Sequence, residues 1–346
     1  MFLSENRELT NLNPVVKVEN LETTFFLKTG PFKAVNRISY SINQGETLGI
    51  VGESGCGKSV TSYSLMKLIS APGQITYGSA ELNGVDLIKL SQAEMENVRG
   101  GQMAMIFQEP MTALNPVLTI GYQMDEQIQK HLKLNLKDSK DRAIEMLNLV
   151  GIPSAADRYA AYPHQLSGGM RQRAMIAMAL SCNPQFLIAD EPTTALDVTI
   201  QAQILELFQS LQSKLKMSVQ FITHDLGVIS EVSDKVLVMY GGQMCETGPT
   251  GDVLTSPVHP YTAALIESRP KIGQKIHRLK TIEGSVPAPH ELPLGCPFAT
   301  RCQRVKTECW TEKPQFKSYS GHADRQVACF NPLDYGTRPQ SKSELV

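Results

Sequence analysis

The sequence contains no uninterrupted apolar run of about 18 residues, which is the length that a membrane-spanning helix needs. The first residues, 1–13, are polar and do not resemble a secretory signal peptide. Neither sign of charge dominates, because 33 lysines and arginines face 34 aspartates and glutamates. With a formal charge of -1, the chain has no global field that would attract nucleic acid or anionic lipid. These absences indicate a soluble intracellular protein that contacts a membrane only through partner chains.

A glycine-rich segment stands between a predicted strand and a predicted helix. The strand is the apolar run 47–51, and the segment after it is Gly52-Glu53-Ser54-Gly55-Cys56-Gly57-Lys58-Ser59. This order fits the pattern G-x-x-x-x-G-K-[ST], whose glycines let backbone N–H groups turn inward around the phosphates of a nucleotide. Lys58 would place positive charge on the outer phosphates, and the hydroxyl of Ser59 would bind Mg²⁺. A helix over 60–69 would turn its positive end toward the same phosphates, which makes a plain glycine turn the weaker interpretation.

Two carboxylates and a histidine follow predicted strands further along. The strand 186–189 ends at Asp190 and Glu191, and the strand 219–222 precedes His224. The carboxyl ends of parallel strands share one edge of an α/β sheet, where ligand sites lie. Asp190 would hold Mg²⁺ through water, and Glu191 would polarise the attacking water. A histidine after a strand is often only a turn residue, so His224 gains a role only from the neighbouring motifs.

A second glycine motif reads Leu166-Ser167-Gly168-Gly169-Met170-Arg171-Gln172-Arg173. Its serine and two glycines precede a predicted helix from Met170, so their N–H groups and the helix dipole form a second anion site. A glutamine, Gln108, follows the apolar run 103–107. Taken alone it is an ordinary polar loop residue, and only its position after that run favours a functional role.

In order and spacing, these motifs resemble those of the ATP-binding subunits of ABC transporters, over residues 14 to about 330. The Walker A loop is 52–59, the Q-loop glutamine is Gln108, the signature is 166–172, the Walker B pair is Asp190 with Glu191, and the switch histidine is His224. Narrower segments resemble the oligopeptide and dipeptide branch: 107–116, 222–228 and 256–262. The segment 34–42 looks most like the dipeptide-permease subunit.

The resemblance implies an α/β fold, namely an ABC-type P-loop NTPase cassette with a RecA-like core, an antiparallel β layer and a helical subdomain. A small, loop-rich C-terminal domain with cysteines follows it. A length of 346 residues is consistent with a main domain and a smaller second one, because it is too long for one small core. We place an N-terminal extension at 1–13, the ATPase domain at 14–265 with its helical subdomain at about 109–172, and the C-terminal domain at 266–346.

The resemblance also implies ATP and Mg²⁺ as ligands. The loop 52–59 would bind the phosphates, and Phe25 would stack on adenine, although Phe26 and Phe32 are neighbours of similar chemistry. Gln108 would join Ser59 and Asp190 at Mg²⁺, and would act in catalysis with Glu191 and His224. Ser167, Gly168 and Gly169 would cover the ATP held by a second, homologous ATPase subunit, so that two cassettes close head to tail around two nucleotides.

Further partners implied by the family are two transmembrane permease subunits and a separate substrate-binding protein, at the cytoplasmic face of the cell inner membrane. The implied activity is ATP hydrolysis that powers import of dipeptides or oligopeptides, with no role for nucleic acid. Permeases for nickel chelates and antimicrobial peptides share nearly the same motifs and stay open as alternatives. A soluble ABC ATPase acting on DNA or the ribosome is disfavoured, because the chain has neither a long heptad insertion nor a second cassette.

Four of the seven cysteines lie near the C-terminus, with the spacing C-x5-C-x6-C-x19-C. They are Cys296, Cys302, Cys309 and Cys329. In a reducing compartment such a set binds metal more often than it forms disulfides. Zinc sites commonly carry C-x2-4-C pairs, which are missing here, whereas the wide spacing is compatible with a 4Fe-4S cluster. The resemblance implies such a cluster, with zinc and unligated cysteine as the alternatives.

Cys56 differs from these four because it lies inside the phosphate loop. The potential at the helix end could lower the pKa of its thiol and make it a redox control. The simpler interpretation is a tolerated small residue, since the loop binds nucleotide through its backbone.

Overall fold

The fold is described from a computed structural model, which places residues 14–108, 113–194, 197–268, 281–288, 291–319 and 324–334. The predicted extension 1–13 lies outside the described residues. So do residues 109–112 of the segment after Gln108, and several stretches of the predicted C-terminal domain.

The strands alternate with helices through most of the chain. Their bounds are β1 Val16–Leu27, β2 Gly30–Ile42, β3 Thr47–Val51, β4 Gly73–Leu82, β5 Val85–Asp86, β6 Met103–Ile106, β7 Phe186–Asp190, β8 Ser218–Ile222, β9 Lys235–Tyr240, β10 Gln243–Pro249, β11 Lys317–Ser318 and β12 Gln326–Val327. The helices are α1 Lys58–Leu65, α2 Gln92–Val98, α3 Ile120–Leu132, α4 Leu136–Leu149, α5 Ala155–Tyr159, α6 Gly168–Leu180, α7 Val198–Leu215, α8 Leu226–Val232, α9 Thr250–Thr255, α10 Pro260–Glu267 and α11 Glu308–Thr311.

The strands form two sheets. One is antiparallel and has the order β2-β1-β4-β5, and the other has the order β11-β12-β10-β9-β3-β8-β7-β6. In the larger sheet the neighbours from β9 to β6 pair in parallel, and the remaining pairs are antiparallel. The predicted antiparallel layer and mixed α/β fold are therefore confirmed. The pair Gly241-Gly242, with φ of 54° and 76°, closes the turn between β9 and β10.

The parallel strands are apolar at almost every position because both faces of the larger sheet are covered. Phe186 and Ile188 of β7 pack with Val16 and Ile38 of the antiparallel sheet. Leu187 and Ala189 of the same strand face the opposite side and pack with a helical layer that includes Met146, Ile176 and Phe208. The ends of these rigid, fully buried strands position the candidate site.

The described part of the C-terminal segment shares the buried core of the preceding fold. Cys296, Phe298 and Cys309 belong to the same buried cluster as Tyr240 and Tyr261. Within this segment β12 pairs with β10 and so extends the larger sheet. The predicted boundary at residue 265 falls inside α10. Part of the loop-rich tail is therefore integrated into the sheet and core of the ATPase fold.

Two helices differ from their predicted bounds. The helix after the glycine loop starts at Lys58 and ends at Leu65, rather than covering 60–69. The helix after the second glycine motif starts at Gly168, with Ser167 as its N-cap, rather than at Met170. No helix in the described ranges is long and apolar enough to cross a bilayer.

Candidate functional site

Two glycines of the loop after β3 are required by both conformation and contact. Gly52 has φ of 153°, and a Cβ there would lie 2.2 Å from the carbonyl oxygen of Met239. Gly57 has φ of 100°, and its Cβ would lie 2.3 Å from the carbonyl oxygen of Ala34. The loop is thus pressed against β9 and β2, and Gly57 caps α1. No larger residue could hold the loop in this shape.

A pocket of about 480 Å³ opens above the loop, which suits a nucleotide-sized ligand. The sequence had predicted most of its polar lining. The lining residues are Phe25, Leu27, Phe32, Ala34, Ser54, Gly55, Gly57, Lys58, Ser59, Val60, Gln108 and Glu191. Gly52, Glu53 and Cys56 of the same loop face the protein instead of this pocket.

The strand register separates the three aromatic candidates. Phe25 of β1 lies opposite Phe32 of β2, so both side chains stand on one face of the sheet and line the pocket. Phe26, the next residue, points to the other face and is 50 % exposed. Two aromatic rings, rather than one, are available to a base.

Lys58 is buried and lies folded over its own loop. Its ammonium group donates to the carbonyl oxygens of Gly52 at 2.8 Å and of Glu53 at 3.1 Å. The Cys56 sulfur is 3.8 Å from the same nitrogen. Burial raises the pKa of the Cys56 thiol even though Lys58 acts to lower it. Cys56 is therefore a packed neutral thiol, as the simpler interpretation expected.

Asp190 and Ser59 form the candidate cation site. The Ser59 hydroxyl donates to Oδ1 of Asp190 at 3.1 Å, and Asp190 is completely buried. Oδ2 of Asp190 has no hydrogen-bond partner among the described residues. Burial raises the pKa of this carboxyl to about 6. A buried, unpartnered carboxylate oxygen beside a serine hydroxyl fits Mg²⁺, which prefers such oxygen ligands.

Glu191 is the point where three predicted residues meet. Its carboxylate lies 3.3 Å from Nδ1 of His224 and accepts from Nε2 of Gln108 at 3.2 Å. Thr194, which sequence reasoning missed, donates its hydroxyl at 2.9 Å. The turn Glu191-Pro192-Thr193-Thr194 returns Thr194 to Glu191, so the three-residue spacing was the available signal. The carboxylate is thus oriented toward the pocket edge.

The second glycine motif stays apart from this pocket. Ser167 caps α6 by accepting from the N–H of Met170 at 3.3 Å, and Gly168 is exposed. Within the described chain, neither these residues nor Gly169 line the pocket above the phosphate loop. The two predicted anion sites therefore lie on separate surfaces of one chain.

The four C-terminal cysteines line one small cavity. Backbone N–H groups donate to three of their sulfurs: Arg304 to Cys302 at 3.4 Å, Lys306 to Cys309 at 3.4 Å and Asn331 to Cys329 at 3.3 Å. Burial raises the pKa of Cys296 to about 12 and that of Cys329 to about 11. No three His, Cys, Asp or Glu side chains in the described part of the chain are arranged to hold a single metal ion.

Comparison with known proteins finds a matching family for the nucleotide-binding part of the chain and another for its C-terminal part. The family "ABC transporter" matches residues 35–194, and the family "Oligopeptide/dipeptide transporter, C-terminal region" matches residues 245–309. The oligopeptide transport ATP-binding protein AppD of Bacillus subtilis is 49 % identical over 92 % of this chain and 97 % of its own. The dipeptide transport ATP-binding protein DppD of Escherichia coli is 48 % identical over 94 % of this chain and 99 % of its own.

Among solved structures, the dimeric ATP-binding cassette MJ0796 bound to ADP and phosphate has a TM-score of 0.62 and 26 % identity. The match covers 68 % of this chain and 98 % of the MJ0796 chain. Three findings point to the same family. They are the fold, the motifs that line one pocket, and the relatives that match this chain over nearly its whole length. The chain belongs to the ABC transporter ATP-binding proteins, in the family that carries the oligopeptide/dipeptide transporter C-terminal region.

Proposed function

We propose that this chain is the ATP-hydrolysing subunit of a transporter that imports dipeptides or oligopeptides. The observation that carries the proposal is the set of contacts at Glu191, which shares a pocket with Lys58 and Ser59. A carboxylate held in this way can accept the proton of the water that attacks the γ-phosphate. The relatives' names support a peptide cargo, and the segment 34–42 favours the dipeptide branch.

Each residue of the pocket has a proposed role. The backbone of 52–59 holds the phosphates, Lys58 neutralises them, and Phe25 stacks on the base. Ser59, Asp190 and Gln108 would hold Mg²⁺, which would supply positive charge to the bound phosphates. Gln108 and His224 orient Glu191 by their contacts with its carboxylate.

We further propose a head-to-tail dimer with a homologous ATPase subunit. Ser167, Gly168 and Gly169 lie away from their own chain's pocket and at a helix N-terminus, which suits them to the phosphates held by a partner. Two permease subunits would anchor this dimer at the cytoplasmic face of the cell inner membrane, and a separate binding protein would deliver the cargo. Membrane contact then passes only through the permease.

For the four cysteines we propose a 4Fe-4S cluster. All four sulfurs face one cavity, and the N–H groups directed at Cys302, Cys309 and Cys329 would stabilise thiolates. Burial raises the pKa of the Cys296 thiol to about 12 and that of the Cys329 thiol to about 11, so a metal would have to displace the protons of these two. The cluster would help to fix the cysteine-bearing segment, whose described buried residues pack into the core of the preceding fold.

The experiment that tests the proposed function replaces Glu191 with glutamine. Glu191→Gln keeps the size of the side chain but cannot take a proton, so ATP hydrolysis should fall by about 10²- to 10⁴-fold while ATP binding is retained. Lys58→Ala should instead weaken ATP binding. Phosphate release is measured in the complex purified with its permease partners, and Glu206→Gln, an exposed change on α7, is the control. Hydrolysis by Glu191→Gln at the wild-type rate would exclude Glu191 as the base.

A further inference from the structure

The C-terminal segment reaches the phosphate loop through one buried arginine. Arg301 ends the short 3₁₀ turn Ala299–Arg301, directly before Cys302, and its side chain is 4 % exposed. Its guanidinium donates to both carboxylate oxygens of Glu53, at 2.6 Å to Oε2 and 3.1 Å to Oε1. This planar, two-point pairing is the geometry in which arginine holds a carboxylate most firmly.

The remaining donors of Arg301 fix the direction of its side chain. Nη1 also donates to the hydroxyl of Tyr240 at 3.2 Å. Nε donates to the carbonyl oxygen of Glu283 at 2.9 Å, and Nη2 to that of Ile282 at 3.2 Å. The guanidinium is therefore held by the end of β9 and by the segment 281–284, and it stays directed at Glu53.

Glu53 in turn connects this arginine to Lys58. Its N–H donates to the hydroxyl of Tyr261 at 2.8 Å, and its carbonyl oxygen accepts from Nζ of Lys58 at 3.1 Å. Tyr261 belongs to α10, so both the side chain and the N–H of Glu53 are held from outside the loop. A displacement of the Glu53 peptide would move one of the acceptors that place the Lys58 ammonium.

We propose that Arg301 is a positioning residue for the nucleotide site: it fixes Glu53 and, through the Glu53 peptide, the phosphate loop and Lys58. The cysteine-bearing segment thereby sets the affinity for ATP. This inference rests on the proposed ATP-binding function and gives the C-terminal segment a part in it. Within the described residues no hydrogen bond joins Arg301 to Glu191, Gln108 or His224, so the effect falls on binding and not on the chemical step.

The test is a double-mutant cycle of Arg301→Gln and Glu53→Gln. Each single change should raise the KM for ATP by about tenfold, the usual weight of a charged hydrogen bond, with kcat within about twofold. Because the two changes break the same pair, the double variant should show no more than the larger single effect. Arg301→Lys keeps the positive charge but cannot bind both carboxylate oxygens of Glu53 at once, so it should recover part of the affinity for ATP.

The matched control is Arg304→Gln. Its guanidinium donates to Asn331 at 3.1 Å, inside the same segment and away from the loop, so its KM should equal that of wild type. Affinity is also measured by titrating the full chain with a fluorescent ATP analogue. Failure of wild type to bind the analogue would refute the proposed function and the inference with it, whereas the variant results below test the inference alone.

Two results would overturn the role of Arg301: an unchanged KM in Arg301→Gln, or additive effects in the double variant. If Arg301→Gln does not fold, Glu53→Gln decides the question, because it breaks the pair from the loop side. A KM for Glu53→Gln equal to wild type would then refute the inference, and an increase with kcat preserved would support it.

Discussion

Asp190→Asn should change how the stability of the metal-free protein depends on pH. Burial raises the pKa of Asp190 from its ordinary value of 3.8 to about 6, although the Ser59 hydroxyl acts to lower it. The folded state therefore binds this proton more tightly than the unfolded state does. Asp190 therefore stabilises the folded state at low pH, and this contribution is lost as the pH rises from 3.8 through about 6.

The size of the effect follows from 1.36 kcal/mol for each pKa unit. Relative to an aspartate with its ordinary pKa, Asp190 costs the folded protein on the order of 3 kcal/mol at pH 7.5 and about half of that at pH 5. Asparagine does not titrate, so any fixed cost of its amide cancels when the two pH values are compared. The stability of wild type relative to Asp190→Asn should thus fall by on the order of 1 kcal/mol from pH 5 to pH 7.5.

Thermal unfolding in EDTA at pH 5 and at pH 7.5 measures this difference. For a chain of this length, a change on the order of 1 kcal/mol corresponds to a change of about 1–2 °C in the Tm difference between wild type and variant. Asp141→Asn is the control, because Asp141 is exposed on α4. Addition of Mg²⁺ and ATP at pH 7.5 should raise the Tm of wild type more than that of Asp190→Asn. A Tm difference that does not change with pH would refute the account of Asp190 as a buried, unpartnered carboxylate.

Three further predictions concern the aromatic platform, the cysteines and the tail. Phe25→Ala should weaken ATP binding by roughly 1–3 kcal/mol, the usual contribution of base stacking, whereas Phe26→Ala should leave binding unchanged. Equal losses of affinity for the two variants in a binding titration would reject Phe25 as the ring that stacks on adenine. If the proposed 4Fe-4S cluster is present, anaerobically purified wild type should be brown and contain about four irons per chain, and Cys302→Ser should bleach it and lower its iron content; a colourless wild type that contains zinc would reject the cluster. Arg325→Gln leaves the buried carboxylate of Glu246 without its cation and should cost about 3–5 kcal/mol, seen as a lower Tm and faster cleavage of the tail by protease. If Arg325→Gln resisted the protease as well as wild type does, the expected loss of stability would be contradicted.

The nucleotide residues could be predicted from the sequence because local geometry dictates their order. Only glycine fits at Gly52 and Gly57, and a strand buried on both faces must be apolar throughout, as β3 and β7 are. The helix α1 was predicted too long for a different reason. Lys67 adopts φ of 48°, and its ammonium donates to the carbonyl of Ile88, a contact with a distant segment that no local periodicity records.

Choices that depend on register or on distant partners could not be made from the sequence. Phe25, Phe26 and Phe32 have similar chemistry, and only the pairing of β1 with β2 shows which rings share a face. Arg301 and Glu53 are 248 positions apart, and nothing in either segment marks the other. The pairing of β12 with β10 could not be predicted either, because strands as short as β11 and β12 give no periodic signal.

The order of the strands indicates how transport and hydrolysis could be coupled. The neighbours β8, β7 and β6 deliver His224, Glu191 and Gln108 to one edge, so residues that are 83 positions apart, such as Gln108 and Glu191, form a hydrogen bond. Gln108 precedes the helices α3 to α5 in the chain, and its amide contacts the proposed base. We therefore expect a change at Gln108 to alter the surroundings of Glu191 and so the rate of hydrolysis. In the role proposed above, Arg301 acts through Glu53 and Lys58, and so on the affinity for ATP. The two inputs enter through different residues, which predicts that changes at Gln108 lower kcat while changes at Arg301 raise the KM for ATP.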